Sequence, residues 1–178
     1  MQYLRRTVSA HPDAVSLRWR GGPGPDGSSG YDQWTWTEYA ERACRVTGGL
    51  AEIGLGHGER VVLMLDNEPA FHVADTATML AGGTPVSVYN SAAPNQIAYV
   101  ADHCAATTAI VSARYLPLFL RAREQMSTLR RLIVVGEVER PTDSISFWNA
   151  FTASPNPFSN LWCWSGWRAW VSNPPAEK

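Results

Sequence analysis

VVLMLDNEPAFHVADTATMLAGGTPVSVY, residues 61–89, carries the decision about the fold. Val61–Leu65 is an unbroken apolar run, the pattern of a strand covered on both faces. Asp66 and Asn67 turn the chain. Pro69 suits the first turn of a helix, where an N–H would lack a helical partner anyway. Residues 70–81 are apolar nearly all round, which predicts a deeply packed helix closed by Gly82 and Gly83. Pro85–Tyr89 then reads as a second short strand. Strand, helix, strand is the unit of a parallel sheet, because parallel strands need a crossover of about this length.

The same alternation continues outward in both directions. Downstream, Pro94 opens a helix with Ile97, Val100, Ala101 and Cys104 on one face. Thr107–Val111 is a strand, 116–126 a helix with Pro117 near its start, and Leu132–Val135 a further strand. Upstream, Thr37 is the expected N-cap of a helix, with Glu38 and Glu41 in its first turn. Tyr39, Ala43, Val46, Leu50 and Ile53 form its apolar stripe. Glu38–Arg42 and Glu41–Arg45 are spaced as ion pairs on its wet side. Gly54, Gly56 and Gly58 spell GxGxG, but they follow a helix and precede a strand, the reverse of a dinucleotide fingerprint. Further upstream, Ala14–Arg20 and Tyr31–Thr37 alternate as the strands of a hairpin, with Trp34 and Trp36 on one face. The connecting GGPGPDGSSG (21–30) is a surface loop, since no helix opens from it to cradle a phosphate. The expected fold is α/β: an N-terminal β-hairpin, then an incomplete parallel sheet with flanking helices.

Composition narrows the function classes. The chain has 178 residues, 45% hydrophobic and 17% charged. That apolar share excludes global disorder. A net charge of −1 excludes a strongly basic nucleic-acid binder. Lys178 is the single lysine beside fourteen arginines. A Walker-type phosphate loop and a Schiff-base lysine inside the fold are therefore excluded. Cys44, Cys104 and Cys163 lack CxxC spacing and read as small apolar residues, not as a zinc or disulfide framework. No apolar run is long enough to span a membrane, and Met1–Pro12 does not read as a secretory signal. A cytoplasmic location is expected, with a membrane-peripheral one as the alternative.

The composition shifts near Pro141, which divides the chain into 1–140 and 141–178. Trp148, Trp162, Trp164, Trp167 and Trp170 crowd the second part, and Pro155, Pro157, Pro174 and Pro175 interrupt any periodicity. A poorly ordered tail is expected. An interfacial segment that docks on a partner or membrane, or a cover packed on the domain, are the competing readings.

Chemistry-bearing patterns are sparse. His72 and Asp75 stand at i,i+3, the spacing of a base and its orienter, although a satisfied core or rim histidine is the plainer reading. His103 and Cys104 are neighbours, but adjacent helical residues do not face each other. No GxSxG, HExxH or paired DxD cluster occurs. No catalytic, cofactor-binding or metal-ligating residue is assigned.

Three stretches nevertheless resemble a known family. They are WTWTEYAERACRVTGGLAEIGLGHGERV (34–61), MLDNEPAFHVADTATMLAGGTPVSVYN (64–90) and SAAPNQIAYVADHCAATTAIV (91–111). Together they are similar to the N-terminal part of AMP-forming acyl-CoA synthetases of the adenylate-forming superfamily, with the long-chain fatty acyl branch the nearest. The resemblance implies a two-step ligase that uses ATP, Mg2+ and CoA to activate a fatty acid. The family's phosphate loop, adenine motif, ribose-binding Asp and C-terminal catalytic Lys have no counterpart here, so no site residue transfers. The resemblance fades after about Glu139. The expectation is a truncated or frame-shifted synthetase, inactive as an isolated chain, with no cofactor of its own and prone to self-association through uncovered apolar surface. The alternative is a non-catalytic interaction module that uses the open sheet edge or the Trp-rich tail.

Overall fold

In the computed structural model, which describes residues 2–23, 29–137 and 145–147, the chain opens with a helix, α1 (Gln2–Ala10). Strands β1 (Val15–Pro23) and β2 (Ser29–Thr35) pair antiparallel as the hairpin. Helix α2 (Trp36–Glu52) leads into β3 (Arg60–Met64), α3 (Pro69–Leu80) and β4 (Thr84–Ser87). Then come α4 (Pro94–His103), β5 (Thr108–Ser112), a 3-10 turn at Ala113–Tyr115, α5 (Leu116–Arg123), β6 (Arg131–Val135) and β7 (Ile145–Phe147). This is the α/β architecture that the alternation implies. No helix among the described residues is long and apolar enough to cross a membrane.

The sheet order is β4-β3-β5-β6-β7, all parallel. The sheet grows from β3 first to one side and then to the other. A right-handed crossover that reverses direction must move its helix to the opposite face. The core shows this. Val61, Leu63, Leu65, Ile110 and Ile133 pack under Val46 and Leu50 of α2 and Val73, Ala74 and Ala77 of α3. The intervening Val62, Met64, Ala109, Val111, Leu132 and Val134 pack against Ile97 and Ala101 of α4 and Phe119 and Ala122 of α5. Strands buried on both faces have no polar side to alternate, which is why VVLML and LIVV are continuous apolar runs.

One edge of the sheet among the described residues is β4. Thr84 and Val88 donate their backbone N–H groups to Glu59 O and Leu63 O. Alternation therefore turns Pro85 outward, where its missing N–H breaks no ladder bond.

Several local expectations need correction. Helix α1 is absent from the sequence reading. Its Val8 packs with Ala40 of α2, and Leu4 and Trp36 flank the pair. Trp36 does not continue the second hairpin strand; it begins α2. The N-cap is Thr35, not Thr37: Thr35 Oγ1 accepts from Glu38 N–H, and Glu38 Oε2 accepts from Thr35 N–H at 2.8 Å. That reciprocal capping box withdraws Glu38 from the expected Glu38–Arg42 ion pair. Arg42 instead donates to Glu38 O, and its guanidinium lies 4.2 Å from the centre of the Trp34 ring. The expected Glu41–Arg45 ion pair is likewise not formed. Helix α3 is not packed all round: Val73, Ala74, Ala77 and Thr78 are buried, whereas Met79 is exposed. The fourth flanking helix stops at Arg123 rather than Met126. Strand β7 extends the sheet beyond the Leu132–Val135 strand. The remainder of the segment read as a Trp-rich tail lies outside the described residues, as does the hairpin loop at 24–28.

Candidate functional site

In open parallel sheets, ligands bind beyond the C-terminal ends of the strands where the strand order reverses. Here that place lies between β3 and β5, and polar residues gather there. Asp66 follows β3, Asn90 follows β4, and Ser112, Arg114 and Tyr115 end and follow β5. Each stands where an apolar run stops, because the chain must leave the core at that point.

Asp66 is the centre of the group. Tyr115 Oη donates to Asp66 Oδ1 at 2.6 Å, and Arg114 Nη1 donates to the same oxygen at 3.3 Å. Asp66 N–H donates to Ser112 Oγ at 3.3 Å, and Asn90 Nδ2 donates to Leu65 O at 3.1 Å. The bond to the Asp66 carboxylate holds the Tyr115 proton in place and raises its pKa above the ordinary phenol value. Gly136, just after β6, has φ +105°, and a Cβ there would stand 3.2 Å from Ala113 Cβ. Glycine thus lets β6 leave the sheet directly beside the Ser112–Tyr115 turn.

This arrangement orients and ties loops. It does not form a metal centre: Asp66 already accepts from a phenol and a guanidinium, and among the described residues no group of three His, Cys, Asp or Glu converges. The residues present therefore do not fit Mg2+.

The patterns singled out in the sequence fall elsewhere. His72 and Asp75 lie on α3 and interact through space; burial raises the Asp75 pKa, and His72 opposes that rise. The backbone carbonyl of His72 accepts from Tyr39 Oη at 2.9 Å, which ties α2 to α3. His103 stacks on Tyr99 with ring centres 5.4 Å apart, while the Cys104 thiol donates to Ala101 O. The structure does not bring these two side chains together. Gly54 and Gly58 have φ near +80° and shape the turns after α2. Arg131 Nη2 donates to Gly54 O at 2.6 Å and Nη1 to Glu59 Oε2 at 3.2 Å, so the glycine stretch is stitched to β6. The Gly56 N–H, bonded to Glu59, contributes most to holding that carboxyl below its ordinary pKa.

The Asp66 group was missed in the sequence. Its signal was available: a polar residue ends three of the apolar runs, and strand ends on one side of a parallel sheet meet in space.

A family model described as AMP-binding enzyme matches residues 4–162. An uncharacterized protein of Mycobacterium tuberculosis is 35% identical over 113 residues, 64% of this chain and 60% of that protein. A long-chain-fatty-acid–CoA ligase of Xenopus laevis is 26% identical over 156 residues, 84% of this chain but 20% of the ligase. The solved acetoacetyl-CoA synthetase of Streptomyces lividans superposes with a TM-score of 0.73 at 20% identity, covering 86% of this chain and 24% of the synthetase. At that identity the likeness speaks for the fold alone. The chain thus spans 60% of the first of these proteins and about a fifth to a quarter of the two ligases.

Proposed function

The chain belongs to the AMP-binding enzyme family, and from that premise we propose that it corresponds to the N-terminal part of an acyl-adenylate-forming ligase and does not catalyse ligation alone. The observation that carries this reading is the disparity in coverage. The Xenopus ligase accounts for 84% of this chain, whereas this chain accounts for 20% of the ligase. In a complete ligase, ATP and a carboxylate give an acyl-adenylate and pyrophosphate; the CoA thiol then takes the acyl group and releases AMP. The first step requires groups that hold a triphosphate, and both require groups that stabilise charge as it develops. The Asp66 cluster is a carboxylate already committed to Tyr115 and Arg114, which suits a scaffold role. The acyl substrate we propose is a long-chain fatty acid, in keeping with the Xenopus relative, and the location is cytoplasmic.

The test is pyrophosphate release by the purified 178-residue chain with ATP, Mg2+, CoA and fatty acids of graded length. Release at the protein-free background is expected; sustained turnover removes the proposal. A second reading is a non-catalytic interaction module. It is favoured by the Mycobacterium tuberculosis relative, of which 113 matched residues already make up 60%. That relative is therefore of similar length to this chain. Size-exclusion chromatography separates the two readings. A defined oligomer or complex supports the module, and polydisperse material supports an incomplete ligase.

A further inference from the structure

Beside the Asp66 group lies an open cleft of about 330 Å3. One wall is residues 17–20 of β1; the other is Asn67, Glu68, Pro69 and His72, at the start of α3. Consecutive strand residues point to opposite faces. A cleft that touches four in a row must run along the edge of the strand. This is the open edge of β1, because β2 holds the other edge and no β2 residue lines the cleft.

Residues 17–20 pair in unbroken register with 34–31, between two irregularities. In such a ladder, alternate residues turn both backbone groups away from the partner strand. Among the described residues, no backbone outside the hairpin bonds to residues 17–20. The cleft is therefore walled on one side by free N–H and C=O groups. Its charge is uneven. Arg18 and Arg20 are both exposed, and Glu68 is the one carboxylate that lines it. Arg18 Nη2 donates to Gln33 Oε1 at 3.0 Å, which holds that guanidinium against the hairpin.

We propose that this cleft binds an acidic, extended segment of a partner protein, which adds to β1 as a third strand of the hairpin sheet. Main-chain bonds supply the attachment, and side-chain charge supplies the selection. The volume lies at the low end of the roughly 300–1,000 Å3 range of ligand pockets, a size for a few strand residues rather than a folded surface. The inference does not depend on the ligase reading.

The probe is an acetylated, amidated Glu-Val-Glu-Val-Glu-Val peptide, titrated into the full chain and followed by fluorescence anisotropy and by amide NMR shifts. Saturable binding is expected, with shifts concentrated at residues 17–20 and affinity that falls as salt rises. The double substitution R18E/R20E is expected to weaken binding about tenfold, and E68Q to strengthen it about twofold. Equal binding of a Lys-Val-Lys-Val-Lys-Val peptide overturns the proposal. So does undiminished binding of the acidic peptide with N-methylated backbone amides, since a strand addition needs those donors. Complete displacement by millimolar inorganic phosphate overturns it too, because it identifies a plain anion site.

Discussion

Two aspartates show how position alone gives one residue type opposite effects. Asp102 accepts from the backbone N–H of Ser127 at 2.9 Å and also from Thr128, together with both hydroxyls. Those bonds, the Ser127 N–H first, hold its carboxyl below the ordinary value. Asp75 is raised instead, chiefly by burial. The signs follow from linkage. A lowered folded pKa gives stability that is present above the unfolded value of about 3.9 and is lost as pH falls through the folded one. A raised folded pKa gives stability that is present below the unfolded value and is lost as pH rises through the folded one. Asp102→Asn is therefore expected to lower Tm at pH 7 and to flatten the acid limb of the stability profile. Asp75→Asn is expected to raise Tm at pH 7, with the gain disappearing toward pH 3. Circular dichroism melts across pH 3–8 read both; parallel shifts at every pH refute the assignment. Neither effect was legible in the sequence. Asp102 lies 25 and 26 residues from its partners Ser127 and Thr128, and nothing local marks that they meet.

At the scale of the element, the start of α2 shows how a visible signal can be misread. Thr35 and Thr37 both precede the apolar stripe. A capping box needs Glu or Gln three residues after the cap. Thr35 has Glu38 in that place, whereas Thr37 has Ala40. Thr35→Ala is expected to cost about 1 kcal/mol, within the range of roughly 0.5–2 for lost caps. Denaturant midpoints of the single variants at 35 and 37 test this, and a larger loss at 37 would place the cap there after all. Helix α1 escaped notice for another reason. Its nine residues carry a short stripe, with Val8 its one buried member. A stripe this brief is not distinguishable from chance without α2 as its partner. The central strands and their helices were legible because long apolar runs and proline-opened helices repeat the same message several times.

For the whole molecule, stability rests on a sheet covered on both sides. Ile110 is fully buried in the central strand β5 and packs in the layer with α2 and α3. Ile110→Ala is expected to lose about 2–5 kcal/mol, the range for emptied core positions. Urea unfolding measures it, and a loss below about 1 kcal/mol would mean that the layer is not tightly packed. The fold class and strand series were readable because each βαβ unit writes its own pattern. Sheet order was not, since it depends on which neighbours pair across space, and the Asp66 cluster depends on that order.

Pro85 has a bearing on how molecules of this kind meet one another. A filament needs two adhesive ends on every subunit, so that each newcomer offers a fresh end to the next. With a proline on one flank, edge-wise joining through the large sheet can pair two molecules but supplies no second end from which a fibre could lengthen.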